Sequence, residues 1–157
     1  MMNFFQGIDE QILFLFNGYH TQFLDSAFMF VTQKYTWVPF YILLVGFMYH
    51  KCGWKATLGL LVGVALAITL SDQVCATYLR PVFCRLRPSN PLNPISEYIQ
   101  LVDGYRSGSY GFPSCHAANT VALATFISLL MNKYKWSVIM IVWAVLVSSS
   151  RMYLGVH

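Results

Sequence analysis

Residues 56–71 read ATLGLLVGVALAITLS without a single charged side chain, and the helix they predict continues past Asp72 towards Leu79. A run of this length and apolarity suits the hydrocarbon of a bilayer better than the core of a small soluble domain. Three further runs behave alike: 35–50, ending at His50 and Lys51, then 115–131 and 136–150. Each is at or just below the roughly 17–25 residues of a spanning helix, so flanking residues are expected to extend them. Gly59 and Gly63 form a GxxxG within the 56–71 run, read as close packing on a neighbouring helix of the same chain.

Composition agrees with this reading. Hydrophobic residues make up 57% of the 157 residues and charged residues 10%, against about 25% charged in a typical soluble domain. The net charge of +4 comes from short clusters rather than a basic stripe, which argues against nucleic acid as a partner. The four cysteines match no zinc or redox spacing. Cys84 and Cys115 flank one loop and could pair across it, but the favoured reading leaves them free. No basic n-region precedes an apolar core at the N-terminus, so no signal peptide is expected.

Ahead of the apolar runs, Phe4, Phe5, Ile8, Ile12, Leu13 and Phe16 recur three or four apart, predicting an amphipathic helix over 4–18 in the interface. Residues 22–33 form a shorter apolar segment carrying Asp25 and Gln33. Residues 88–113 hold Pro88, Pro91, Pro94, Gly104, Gly108, Gly111 and Pro113 and must lie outside the hydrocarbon, since irregular backbone cannot face lipid. The expected fold is an all-α, polytopic membrane helix bundle with an N-terminal interfacial helix and about four to five spans. Residues 1–157 would make one domain.

If each strong run crosses once, Lys51, Lys55, Lys133 and Lys135 share one face. Arg80, Arg85, Arg87, Arg106 and Arg151 share the other, with Lys34. Short lysine-flanked turns are where the positive-inside rule works best, which places the lysines in the cytoplasm.

The arginine face carries the chemistry. Arg80 and Arg87 are seven apart, two helical turns, and each is followed by a proline that bends or ends a helix. Guanidinium groups held at a membrane surface suit the oxygens of a phosphate, or simply snorkel to headgroups. Pro113-Ser114-Cys115-His116 stands where the loop enters a helix. There Ser114 is a natural N-cap, the next N–H groups make an anion site, and His116 lies within reach. Ser150 and Arg151 follow the last run on the same face, with His157 six residues beyond Arg151. Three phosphate-friendly elements delivered to one side point to a phosphate site.

With these residues in place, the sequence resembles the type 2 phosphatidic acid phosphatase superfamily. Arg80 to Pro88 is similar to its K-x6-R-P motif, Pro113 to His116 to P-S-G-H, and Ser150 to His157 to the start of S-R-x5-H-x3-D. The resemblance implies hydrolysis of a phosphate monoester or pyrophosphate on a lipid, at the extracytoplasmic face of a bacterial inner membrane. His157 would be the nucleophile that forms a phosphohistidine. His116 would protonate the leaving oxygen and then activate water. Arg80, Arg87, Ser114, Cys115 and Arg151 would hold the phosphoryl oxygens, without cofactor or metal.

Three departures stand out. Arg80 replaces the motif's Lys, Cys115 replaces its Gly with a side chain that could crowd the site, and the sequence stops at His157. The motif's Asp and the helix that normally follows are expected to be missing. Loss of the group that orients the nucleophile would reduce activity by about 10²–10⁴-fold. The competing expectation is a non-catalytic lipid-phosphate-binding remnant. A small transporter would instead show polar groups at mid-membrane on several spans, where only Asp72 and a few hydroxyls stand.

Overall fold

The computed structural model describes residues 2–156, which fold as helices with no strand among them. Two helices are long and apolar enough to cross a membrane, Lys34–Phe83 and Tyr134–Tyr153, and Cys115–Met131 is a shorter apolar helix. Helix α1 (Met2–Asn17) and helix α2 (Gln22–Thr32) precede a 3-10 turn, Lys34–Trp37. Helix α3, Val38–Gln73, is a hairpin rather than one rod. At Gly53 the backbone turns to φ 77°, ψ 174°, so 38–52 and 54–73 form two arms. Positive φ is a conformation that glycine adopts without steric cost, and Lys51 and Lys55 flank the turn as the sequence requires of a membrane edge.

A π-helical stretch, Val74–Leu79, carries the second arm into helix α4, Arg80–Phe83, which stops at Cys84 in the left-handed region. After the loop come α5, Cys115–Met131, and α6, Tyr134–Tyr153, joined through Asn132 in the same left-handed conformation. The core lies among the two arms, α5 and α6. Leu44, Met48, Leu60, Leu123, Ile127, Met140 and Val147 are buried around Trp143, whose ring meets Trp37, Phe40 and Tyr41 at centroid distances of 5.7–6.3 Å. Many outward apolar side chains stay exposed, including Leu43, Leu66, Leu70 and Leu129, as expected where lipid covers them.

Helix α1 forms as the periodicity predicts, and its end is fastened to the bundle. Buried Asn17 donates from Nδ2 to the carbonyls of Gln100 (2.9 Å) and Tyr153 (2.7 Å) and accepts the N–H of Gln100 (2.8 Å). Beside it Asp25 Oδ1 receives the Tyr153 hydroxyl at 2.5 Å and lies 2.7 Å from His20 Nδ1. These polar contacts tie α1 and α2 to the last turn of α6.

Half of the GxxxG reading survives. A Cβ on Gly63 would stand 2.4 Å from Phe126 Cζ of α5, whereas a Cβ on Gly59 meets nothing within 4 Å. Of the two, Gly63 alone is a contact glycine. Gly63→Val is expected to destabilise the bundle by about 1–3 kcal/mol more than Gly59→Val, the usual cost of overpacking. Thermal unfolding of the two variants in one detergent reads the difference directly, since their helix propensities change equally.

Candidate active site

The site is built from three chain segments. The first is α4 and the loop that leaves it. Arg80 sits at the start of α4, and its Nε donates to the Pro113 carbonyl at 3.4 Å. Seven residues later the helix has ended, so Arg87 comes from the loop and not from two turns along one helix as the spacing suggested. Its position is fixed by a short antiparallel pairing around Leu86 and Tyr110, in which Arg87 N–H donates to Ser109 O and Gly111 N–H to Arg85 O, each at 3.0 Å. Asn93 Nδ2 donates to the carbonyls of Leu86 and Arg87 and holds the other side. Arg85 turns away to pair with Asp9 at 2.5 Å.

The second segment is the start of α5. Ser114 is the N-cap, its Oγ accepting from Ala117 N–H at 3.4 Å while its carbonyl accepts from Ala118 N–H. That leaves the N–H groups of Cys115 and His116 unclaimed at the positive end of the helix. His116 is exposed in this first turn, where the charges of Arg151, Arg87 and Arg80 all act on it. The Cys115 side chain does not crowd the site. It is buried, and its sulfur faces Cys75 at 2.9 Å instead of Cys84, which is exposed.

The third segment is the end of α6. Arg151 is 3% exposed and held on three sides. Its NH1 donates to Thr32 Oγ1 (3.2 Å) and the Tyr105 hydroxyl (3.1 Å), and its NH2 to Ser107 Oγ (3.5 Å). The helix closes in a Schellman arrangement, with Val156 N–H on Arg151 O, Gly155 N–H on Met152 O, and Gly155 at φ 64°. A Cβ at Gly155 would meet Ile99 Cγ2 at 2.3 Å, so φ and space both require glycine. Arg87 joins this segment to the first, donating from Nε to Tyr110 O at 3.0 Å and from NH1 to Val156 O. His157, the next residue, lies outside the described residues.

Three guanidinium groups therefore converge. Arg87 is 7% exposed, and its pKa falls to about 10 because burial disfavours the cation and Arg151 and Arg80 repel it. Among the described residues no carboxylate bonds to Arg80, Arg87 or Arg151. Buried like charges are costly unless an anion joins them. The arrangement is chemically suited to a tetrahedral oxyanion, with the N–H groups of Cys115 and His116 at its floor and an imidazole at its rim. No three His, Cys, Asp or Glu side chains gather as metal ligands among the described residues.

Of the sequence candidates, Arg80, Arg87, Ser114, Cys115, His116 and Arg151 stand in these three segments. The groups that hold Arg151 went unread. Thr32, Tyr105 and Ser107 sit in unrelated stretches, and only Tyr105 and Ser107, beside glycines in the loop, offered any signal.

Comparison with known proteins agrees. The PAP2 superfamily matches residues 56–157. Over the whole chain the sequence is 44% identical to a lipid A 4'-phosphatase of Bacteroides thetaiotaomicron, spanning 70% of that protein. It is 30% identical to an undecaprenyl-diphosphatase of Sulfolobus acidocaldarius over 96% of the chain and 68% of that protein. The fold matches the crystal structure of a transmembrane PAP2-type phosphatidylglycerolphosphate phosphatase from Bacillus subtilis with a TM-score of 0.65 and 23% identity, over 99% of this chain and 75% of that one. Motif, fold and relatives agree: the chain is a helical membrane protein of the PAP2 superfamily.

Proposed function

We propose that this chain hydrolyses a phosphate monoester on a membrane lipid, with the 4'-phosphate of a lipid A-type glycolipid as the substrate class. The observation that carries the proposal is the meeting of Arg80, Arg87 and Arg151 beside the N-terminus of α5, with no carboxylate bonded to them among the described residues. The substrate class rests on the relative that is 44% identical over the full length of the chain. A pyrophosphate lipid is the second reading, supported by the relative named for undecaprenyl diphosphate.

In the proposed mechanism the phosphoryl oxygens sit among the guanidinium groups and the N–H groups of Cys115 and His116. The His157 imidazole nitrogen attacks phosphorus with its lone pair. The bond to the lipid oxygen breaks, and His116 gives that oxygen its proton. Water, deprotonated by His116, then attacks the phosphohistidine and releases inorganic phosphate. Phosphoryl transfer depends mainly on positioning and charge stabilisation, which the arginines supply. The two arms of α3, α5 and α6 are proposed to cross the bilayer as one domain, with the lysine turns in the cytoplasm and the site outside.

Phosphate release from lipid A 4'-phosphate and undecaprenyl diphosphate in detergent tests the activity. His116→Ala is expected to lose about 10²–10⁴-fold, the range of a general acid, and His157→Ala to lose all measurable release. Substrate binding without release by the unaltered chain would favour a binder over an enzyme.

The charge argument has its own test. Arg87 loses its proton more readily folded than unfolded, so keeping it charged costs stability below about pH 10, a cost that fades as pH rises through that value. A bound anion offsets the same cost. Inorganic phosphate at 100 times its Kd is expected to stabilise the protein at pH 7 by about 2.7 kcal/mol, read as a rise in Tm. The rise should vanish in Arg87→Ala.

A further inference from the structure

We infer that Cys75 and Cys115 form a disulfide that ties the proposed phosphate cradle of α5 to the π-helical stretch that follows the second arm of α3. Their sulfurs stand 2.9 Å apart, and both residues are buried, at 2% and 7% exposure. Closing that distance to a covalent bond of about 2.05 Å moves the atoms by less than about 1 Å. Among the described residues Cys115 Sγ donates to Cys75 Sγ, and Cys75 Sγ to the Pro113 carbonyl at 3.3 Å in the turn that leads into Ser114, while Cys52 and Cys84 are exposed elsewhere.

The position gives the bond its purpose. Residues 75 and 115 bracket α4 and the whole loop, so the bond closes the segment carrying Arg80 and Arg87. It fastens that segment at the residue whose N–H is proposed to receive the phosphate. Where the resembled motif has glycine, Cys115 keeps that N–H and directs its side chain away from the site, into a cross-link. Arg80 lies five residues beyond Cys75 and donates to Pro113 O, so the bond also holds the Arg80–Pro113 contact in register.

Formation requires a disulfide-bearing oxidant of the extracytoplasmic compartment, such as a thiol–disulfide oxidoreductase. The Cys115 sulfur, as thiolate, attacks the oxidant's disulfide and expels one of its sulfurs as a thiol. The Cys75 thiolate then attacks Cys115 Sγ and expels the second. Two S–H bonds and two electrons leave the chain, one S–S bond forms, and the oxidant ends as a dithiol. Because both sulfurs are buried in the folded protein, the exchange takes place before α5 seats on the second arm. The inference rests on the proposed placement of this face outside the cytoplasm.

Counting alkylatable thiols on the full chain in denaturing detergent tests it, with no dependence on hydrolysis. Two reactive thiols without reductant and four after reductant are expected, with three in both Cys75→Ser and Cys115→Ser without reductant. Four without reductant in the unaltered chain overturns the bond, and a pair that persists in Cys75→Ser overturns the assignment. Labelling of Cys84 in intact cells by a membrane-impermeant maleimide reports the orientation separately. If Cys84 is labelled from outside, four free thiols sink the disulfide alone; if it is shielded, they sink orientation and disulfide together.

Discussion

The buried guanidinium of Arg87 is the point on which the site depends. Through Nε it holds the loop at Tyr110, and through NH1 it holds the end of α6 at Val156. A cation kept from water at the edge of a membrane protein must bond to whatever oxygen surrounds it. Here the surrounding oxygens are backbone carbonyls from two segments far apart in sequence. Those carbonyls take two of its five N–H donors and none of its charge, and Arg80 and Arg151 increase the imbalance. The loop, the last turn of α6 and the proposed affinity for an oxyanion all depend on this one placement.

Much of the fold was legible because lipid imposes simple rules. The uncharged runs became the arms of α3, α5 and α6, and the lysine-flanked turn at 51–55 became a reversal at Gly53. The N-cap at Ser114 was legible for an equally local reason, since a cap is decided within three residues. Arg87 shows where local reasoning ends. A spacing of seven implies one helix face only if the helix continues, and the left-handed Cys84 stops it three residues before Arg87. The pairing of Leu86 with Tyr110 then returns the guanidinium to the site by another route.

Gly59 and Gly63 make the same distinction within one motif. Four residues apart on one face, they are equivalent in sequence, yet Phe126 reaches only one. The clasp around Arg151 was illegible for a different reason. Thr32 and Tyr105 are separated from Arg151 by 119 and 46 residues, and no periodicity carries information over that distance. The same holds for Asn17, which looks like an ordinary helix end until it meets Gln100 and Tyr153. Long-range polar contacts of this kind set the shape of the site, whereas apolar patterning sets only which segments are available to build it.

Helix α5 has 17 residues, about 25 Å of rise, against a hydrocarbon thickness of roughly 30 Å. In the proposed orientation that shortfall draws its N-terminus, and the arginines with it, down to the layer where neighbouring lipids carry their own ester groups, or thins the bilayer around it. A lipid arriving by lateral diffusion then meets the arginines without being lifted from its leaflet. A water-borne phosphate ester would have to descend to the same depth without tails to follow it. Discrimination between the two would then begin with altitude, before any side chain reads the head group.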